Sequence, residues 1–219
     1  MQEKIFLATE ADAWYRRNRE ALLARTPADD PICRALRSSG LPPPRRVLEI
    51  GCANGYRLEW LRQEYGCDCV GVEPSRGAVE DGRSLFPNLS LHVDTAAGVG
   101  ELPGRFDLVI FGFCLYLVER DNLFRIAHEV NEKLQGNGYI AIFDFHTSAA
   151  LCNDYAHQDG VTSYKMDYAK LFDWNPQYTR IFCHLQDHDL TPFGGDQHEA
   201  VGTTILLKSD AAQAYLKHR

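Results

Sequence analysis

Residues 47–55 read Val-Leu-Glu-Ile-Gly-Cys-Ala-Asn-Gly, and this stretch constrains the fold more than any other part of the chain. Its first four residues are mostly apolar and predict a short buried strand, while Gly51 and Gly55 bracket a tight turn. Residues 56–65 then repeat apolar side chains at helical spacing, which predicts a helix. A strand, a glycine turn and a helix together form a site where the backbone can approach a ligand closely.

Three classes of ligand suit such a turn, and the residues beside it separate them. A triphosphate site needs Lys followed by Ser or Thr at the end of the loop, and no lysine follows Gly55. A dinucleotide site needs two further glycines after Gly51, but Ala53 and Tyr56 stand at those positions. Glu49, just before the turn, would repel a pyrophosphate and attract an ammonium or sulfonium group. S-adenosylmethionine (SAM) carries both of these cations.

A second acidic residue ends the next predicted strand. Residues 68–73 are mostly apolar after the first position and finish with Glu73. A carboxylate there can accept hydrogen bonds from the two neighbouring hydroxyls of a ribose. The two acids together therefore predict SAM as the cofactor.

At these residues the chain resembles the class I SAM-dependent methyltransferases. Residues 49–55, Glu-Ile-Gly-Cys-Ala-Asn-Gly, look like the first motif of that family, and residues 71–75, Gly-Val-Glu-Pro-Ser, look like the second. Residues 106–109, Phe-Asp-Leu-Val, also resemble the family pattern. Ala53 departs from it, since the commonest form has glycine at this place. Residues 10–18 are similar to the N-terminal helix of methyltransferases from bacterial saccharide and secondary-metabolite loci.

The rest of the chain alternates between predicted strands and helices. Strands are predicted at residues 47–50, 68–73, 89–93, 106–111, 139–145, 178–185 and 199–207. Periodic helices are predicted at 74–85 and 120–134. We expect an α/β, Rossmann-like doubly wound sheet of seven strands, mostly parallel, with a C-terminal antiparallel hairpin and an N-terminal helical lid. Ligands of such sheets bind outside the carboxyl ends of the strands.

A chain of 219 residues is long enough for one α/β core, so we expect a single SAM-binding domain over residues 1–219. Residues 1–40 form its expected helical cap, with an amphipathic helix at 10–25. This helix either packs against the edge of the core or covers the cofactor, with Trp14 and Tyr15 facing the sulfonium. Residues 146–178 are rich in aromatic residues and break the alternation, which predicts a substrate-covering insertion.

The resemblance implies where the cofactor is held. An acid after the third strand meets the adenine amino group in that family, which assigns Asp94; the alternative is a cap on the following turn. Backbone carbonyls after the fourth strand hold the amino acid end of the cofactor there, beside Phe113. The expected cofactor contacts are Tyr15, Glu49, Gly51, Gly55, Glu73, Pro74, Asp94, Thr95, Phe111 and Phe113.

Methyl transfer from a sulfonium is an in-line displacement, for which a protein mainly holds donor and acceptor together and excludes water. If the acceptor must lose a proton, we expect His146 to take it, with Asp144 orienting His146 or binding substrate. The alternative for His146 is a surface or capping role. Tyr116 is expected on the substrate side as a hydroxyl donor.

Four residues of the insertion are expected to contact the substrate: Tyr164, Lys165, Asp167 and Tyr168. Lys165 and Asp167 are two residues apart and share a face if the segment is extended. The alternative is a surface ion pair between aromatic residues that pack on the core.

The expected function is methyl transfer to a small polar metabolite, a saccharide or a secondary-metabolite intermediate. One alternative keeps the cofactor and changes the chemistry: the aminocarboxypropyl group of SAM would cyclise or be transferred, releasing methylthioadenosine. A further alternative is a non-catalytic SAM-binding subunit.

Charge and cysteine content narrow the possible partners. A net charge of −7 argues against nucleic acid, whose binding depends on Lys and Arg. We also expect no membrane association, because no run of about 18 apolar residues occurs. Seven cysteines without framework spacing favour a reducing, cytoplasmic setting, and no spacing typical of a metal site is present. We expect a monomer or homodimer with a small-molecule substrate.

Overall fold

The structure is a computed structural model that describes residues 2–215. Met1 and residues 216–219, which the predicted domain includes, lie outside the described residues. The strands are β1 (Arg46–Ile50), β2 (Asp68–Glu73), β3 (Ser90–Val93), β4 (Phe106–Gly112), β5 (Leu134–Phe145), β6 (Leu151–Asp154), β7 (Thr162–Lys165), β8 (Tyr178–Gln186) and β9 (Val201–Lys208). The α-helices are α1 (Gln2–Ile5), α2 (Ala11–Ala24), α3 (Pro31–Ser38), α4 (Tyr56–Tyr65), α5 (Arg76–Leu85), α6 (Leu123–Lys133) and α7 (Ala211–Ala214).

Seven of the strands form one sheet in the order β3–β2–β1–β4–β5–β9–β8. The first five run parallel, whereas β9 is antiparallel to both β5 and β8. The sequence prediction of a seven-stranded, mostly parallel sheet with a C-terminal antiparallel hairpin is therefore confirmed. The strand order reverses between β1 and β4, and this reversal creates the crevice in which open α/β sheets bind ligands.

Local chemistry explains where two of the helices begin. Asp30 caps α3 by accepting hydrogen bonds from the backbone N–H groups of Ile32 and Cys33, at 3.1 and 3.0 Å. Ser75 caps α5 in the same way, through a 3.0 Å bond from the N–H of Ala78. The Ser75 cap fixes the chain direction immediately after β2, where a cofactor-binding loop is expected.

Three segments differ from the sequence prediction. Helical structure at the N-terminus begins at Gln2, because a π-helical turn at Phe6–Glu10 joins α1 to α2. The predicted helix 120–134 is a 3₁₀ turn at Arg120–Asn122 followed by α6, and β5 already begins at Leu134. The insertion 146–178 is not irregular throughout, since β6 and β7 pair there as a separate antiparallel sheet.

Helix α5 contains two glycines with different surroundings. An added Cβ at Gly82 would lie 2.6 Å from a methyl carbon of Leu91 and closer still to the backbone oxygen of Asn54. An added Cβ at Gly77 would have no atom nearer than 3.5 Å. At Gly82, helix α5 therefore lies directly against the turn that follows β1, whereas at Gly77 the helix has space around it.

We expect Gly82→Ala to lower the free energy of unfolding by about 2 kcal/mol, because a clash with backbone cannot be relieved by a rotamer change. Gly77→Ala is the matched control on the same helix. It should be neutral or stabilising by up to about 1 kcal/mol, since alanine restricts the unfolded chain. Urea denaturation of both variants measures the difference, and equal effects would contradict the close approach of α5 to the turn.

Candidate cofactor and acceptor site

The turn after β1 meets the end of β4 in a contact that only glycine permits. Gly51 has a φ of +73°, and a Cβ there would lie 2.6 Å from the Cβ of Cys114. A Cβ at Gly112 would lie 2.6 Å from Oε1 of Glu49 and 2.9 Å from the carbonyl oxygen of Gly51. The result is a side-chain-free cradle at the point where the strand order reverses.

A cavity of about 110 Å³ lies at the carboxyl ends of β1, β2 and β4. The predicted cofactor contacts that line it are Gly51, Glu73, Pro74, Thr95 and Phe113, and the predicted substrate-side residue Tyr116 also lines it. Phe6, Ala11 and Trp14 cover it from the N-terminal helical segment. The same segment also packs on the core, because Tyr15 and Leu22 are buried in a cluster with Ala53 and Tyr56.

A larger cleft of about 630 Å³ adjoins this cavity. The two spaces share five lining residues, namely Trp14, Gly51, Gly112, Phe113 and Tyr116. The other walls of the cleft come from α2, from the end of β5, from the β6–β7 hairpin and from the β8–β9 connection. A ligand in the cleft would therefore meet a ligand in the cavity at Phe113 and Tyr116.

Glu73 is nearly buried, and its carboxylate is held by the backbone. Its Oε2 accepts a 3.0 Å hydrogen bond from the N–H of Ala53, and its Oε1 a 2.9 Å bond from the N–H of Ser75. Burial raises the pKa of Glu73 to about 7, although both backbone bonds oppose the shift. Each oxygen keeps a lone pair for a further donor, as two ribose hydroxyls would require.

Glu49 lies behind the glycine turn and lines neither space. Its Oε1 pairs with Nη1 of Arg57, whose Nη2 is 2.8 Å from Oδ2 of Asp30. Burial raises the pKa of Glu49 to about 7, and Arg57 limits that shift. Glu49 is therefore not the isolated negative charge that the sequence predicts, because Arg57 is buried beside it and pairs with it. Oε2 of Glu49 has no hydrogen-bond partner among the described residues.

Arg57 is a site residue that sequence analysis missed. It lines the cleft, is 2% exposed, and joins β1 to α3 through its two carboxylate partners. The available sequence signal was that this arginine stands beside the apolar Leu58 in the first turn of the predicted helix 56–65. A buried guanidinium requires such partners, because an unpaired buried charge is very costly.

Besides Glu49, four expected cofactor contacts lie away from the cavity. Tyr15 is buried and donates a hydrogen bond to Asp81, so it anchors α2 to α5 while its neighbour Trp14 faces both spaces. Gly55 is the N-cap residue of α4 and lines neither the cavity nor the cleft. Phe111 is fully buried in the core, with its ring centroid 6.1 Å from that of Phe172.

Asp94 is the fourth of these residues. It is exposed and absent from the cavity wall, and its Oδ1 accepts a 2.7 Å bond from the N–H of Thr95. The capping role weighed as the alternative belongs to Thr95, whose Oγ1 accepts a 3.3 Å bond from the N–H of Ala97. The wall itself is formed by the next three residues, 95–97, which follow β3.

The expected base, His146, is not at the site. The Nδ1 atom of His146 lies 3.7 Å from Oδ1 of Asp167, beside a separate cavity of about 260 Å³. Asp144 is also structural, because its carboxylate accepts 2.8 Å bonds from the N–H groups of Leu115 and Phe145. The physical reason is strand parity: Phe143 and Phe145 line the cleft, so the alternate residues of β5 point elsewhere.

Only one of the four expected substrate contacts, Lys165, lines the cleft. Tyr164 packs under Arg120, with the guanidinium carbon 4.3 Å from the ring centroid. Tyr168 is buried and donates a 2.8 Å bond to the carbonyl of Tyr164, and Asp167 pairs with Arg180 at 2.7 Å. These three residues hold the insertion on the core. The aromatic residues pack there as the alternative expects, but its surface ion pair does not form, because Lys165 and Asp167 are both buried and pair with Glu199 and Arg180.

Three further residues line the cleft although the sequence assigns them no site role: Tyr155, His157 and His188. His188 comes from the connection between β8 and β9, and its ring lies parallel to that of Phe145, with the centroids 5.6 Å apart. Its place after a predicted strand gave no signal of this contact. Within residues 2–215, no three metal-ligating side chains come together, and no helix is long and apolar enough to span a membrane.

Comparisons with known proteins agree with this geometry. A family model described as a methyltransferase domain matches residues 15–191. A 1,6-didemethyltoxoflavin-N1-methyltransferase from Burkholderia thailandensis, solved with 1,6-didemethyltoxoflavin and S-adenosylhomocysteine (SAH), superposes with a TM-score of 0.68 at 15% identity, covering 95% of this chain and 89% of the other. The N-methyltransferase NodS from Bradyrhizobium japonicum gives 0.58 at 17% identity, with 91% and 99% covered.

A SAM-dependent methyltransferase from Mesorhizobium loti gives a TM-score of 0.61 at 15% identity, with 84% of this chain and 100% of the other covered. No curated protein matches the sequence significantly. The family match spans most of the chain, and the similar structures share its fold. The chain therefore belongs to the methyltransferase-domain family, as an enzyme of the class I, Rossmann-like type that uses SAM as its methyl donor.

Proposed function

We propose that this methyltransferase transfers the methyl group of SAM to a small-molecule acceptor bound in the 630 Å³ cleft. The observation that carries the proposal is the set of residues shared by the cavity and the cleft, which would bring donor and acceptor together at Phe113 and Tyr116. The volume of the cleft is in the range of small-molecule sites, about 300–1,000 Å³. The toxoflavin-type methyltransferase of similar fold binds a small molecule, in agreement with this acceptor class.

The residues present fit SAM, by three observations. The free lone pairs of Glu73 suit two ribose hydroxyls. The cradle of Gly51 and Gly112 leaves room for the methionine end of the cofactor, beside the Arg57 guanidinium, which suits its carboxylate. The unpartnered Oε2 of Glu49 supplies negative charge behind the same cradle, where an ammonium group is favoured.

SAM supplies an activated methyl group on a sulfonium, so the work of the chain is positioning and the exclusion of water. Trp14 covers both spaces, and Phe113 and Tyr116 form the wall where they join. The hydroxyl of Tyr116 is an available hydrogen-bond partner for the reacting group of the acceptor. His188 lies beside this junction, with its ring centroid 5.8 Å from that of Phe113, and is the residue we assign to accept a proton there.

We further propose that residues 1–219 act as one SAM-binding unit, monomeric or homodimeric, with residues 1–40 as its cap. Lining of both spaces by the N-terminal helical segment supports this cap. The segment 146–178 is proposed to cover the acceptor, because Tyr155, Ser163 and Lys165 line the cleft.

The proposal is tested by dialysing a cell extract and incubating the protein and SAM separately with the two fractions. The dialysate is the small-molecule fraction, and the retentate is the nucleic acid and protein fraction. We expect SAH to form only with the small-molecule fraction, and no product with the nucleic acid and protein fraction. SAH formation with macromolecules alone would overturn the small-molecule acceptor. Methylthioadenosine released without any acceptor would instead support the aminocarboxypropyl chemistry, and binding of SAM without turnover in either fraction would support a non-catalytic subunit.

A further inference from the structure

The inner wall of the cleft is a continuous row of rings. The ring centroid of Phe113 lies 5.1 Å from those of Phe143 and Tyr116, and 5.3 Å from that of Phe145. His188 continues the row by lying parallel to Phe145, and Tyr155 continues it beyond Tyr116, with their centroids 6.4 Å apart. The row begins at the cofactor cavity, so a flat ring placed on it would lie beside the donor.

The centre of this wall is apolar. Phe113, Phe143 and Phe145 have no side-chain hydrogen-bonding atom. Their rings offer apolar contact to the face of a ligand ring, whereas the polar atoms of the row lie at its ends, on Tyr116, Tyr155 and His188. The wall therefore suits the flat face of a planar ring system.

One cation lies against the same wall and is almost covered. The side chain of Lys165 is 9% exposed, and its Nζ lies 4.6 Å from the ring centroid of Phe145. Among the described residues, its carboxylate partner is Glu199, at the end of the β8–β9 connection. A covered ammonium group needs an anion beside it, because desolvation without a partner is costly.

Glu199 is a replaceable partner. Its side chain is 53% exposed, whereas Lys165 is buried, so releasing Glu199 returns a carboxylate to water at little cost. Glu199 also lines the cleft, so its carboxylate stands where a ligand would enter. A carboxylate carried by the ligand could take its place and form a charge-assisted hydrogen bond with Lys165.

We infer that the acceptor is a planar aromatic acid, whose ring stacks on the row from Phe113 to His188 and whose carboxylate replaces Glu199 at Lys165. This inference rests on the proposed small-molecule methyl transfer and narrows its acceptor class.

The test is calorimetric binding to the full chain saturated with SAH, with 3-hydroxybenzoate as the probe. Phenol lacks the carboxylate, cyclohexanecarboxylate lacks the planar ring, and glucuronate is an acidic sugar. We expect 3-hydroxybenzoate to bind at least tenfold more tightly than each of the other three compounds. Equal or tighter binding of glucuronate or phenol would overturn the inference.

Two variants test the exchange at Lys165. Glu199→Gln removes the competing carboxylate from an exposed position, and we expect it to tighten binding of 3-hydroxybenzoate about threefold or more. Lys165→Met should weaken binding at least tenfold, whereas Lys170→Met, a change at an exposed lysine outside the cleft, should leave it unchanged. Unchanged or weaker binding by Glu199→Gln would contradict the exchange.

The affinity for SAH separates the two proposals. If the unmodified protein does not bind SAH, the proposed site for the cofactor fails first. If SAH binds and the aromatic acid does not, only the inference about the acceptor fails.

Discussion

Replacing Arg57 by methionine should lower the free energy of unfolding by about 3–5 kcal/mol, because two buried carboxylates then lose their shared cation. Asp30 and Glu49 are both fully buried, and Arg57 lies between them. Guanidinium chloride denaturation at pH 8, where both acids are ionised in the unfolded chain, measures the loss. The loss should be smaller at pH 5.5, because the pKa of Glu49 is already raised to about 7 and protonation removes its uncompensated charge.

Arg37→Met is the matched control, since it removes an arginine of an exposed ion pair. Arg37 pairs with Glu64, and both side chains are partly exposed. Such pairs contribute about 0–1 kcal/mol. A loss at Arg57 no greater than the loss at Arg37 would show that the buried cluster does not stabilise the fold.

The buried cluster also explains how the glycine turn is positioned. Asp30 caps α3, Glu49 lies in β1 and Arg57 lies in the first turn of α4. The guanidinium of Arg57 therefore links α4 to β1, the two elements on either side of the turn, and to the start of α3. These three elements together hold Gly51 in position. A change at Arg57 should therefore also weaken binding of SAH.

The sheet and the cofactor turn could be predicted from the sequence because their signals are local. Apolar runs followed by Glu49 and Glu73 mark two neighbouring strand ends, and parallel strands bring such ends together whatever the rest of the chain does. The N-terminal helix was predictable, but its contacts were predictable only in part. Trp14 and Tyr15 are adjacent on α2 and so face different directions, and periodicity alone did not decide which of them faces the cavity.

The acceptor side could not be predicted in the same way. To assign His146, one must know which face of the sheet the last side chains of β5 point to. A shift of one position along a strand moves a side chain to the other face. The contacts of Lys165 with Glu199, and of Phe145 with His188, join residues 34 and 43 positions apart in the chain. No local spacing encodes such pairs, because they depend on where the hairpin β8–β9 ends relative to β5.

Glu73→Ala should weaken binding of SAH about a hundredfold, because two hydrogen bonds to a charged group are lost at about 1.5 kcal/mol or more each. SAH has no sulfonium charge, so its affinity isolates the ribose contacts from the attraction between SAM and the acidic site. Calorimetry measures the effect. Glu73→Gln keeps the size of the side chain and should lose less, about tenfold, since its amide retains one acceptor oxygen. Equal affinities for the unmodified protein and Glu73→Ala would remove Glu73 from the site.

The raised pKa of Glu73 predicts how this affinity depends on pH. In the free protein the carboxyl has a pKa of about 7, so it is largely protonated at pH 6 and ionised at pH 8. Ribose hydroxyls donate to the ionised form, which lowers the pKa in the complex, and binding at pH 6 must therefore release a proton. Affinity should fall about tenfold from pH 8 to pH 6 by this linkage. Asp144 and Glu49 also have pKa values of about 7, so the assignment depends on Glu73→Gln. In that variant, a pH dependence as steep as in the unmodified protein would assign the titration to Glu49 or Asp144 and leave Glu73 without the ribose contact.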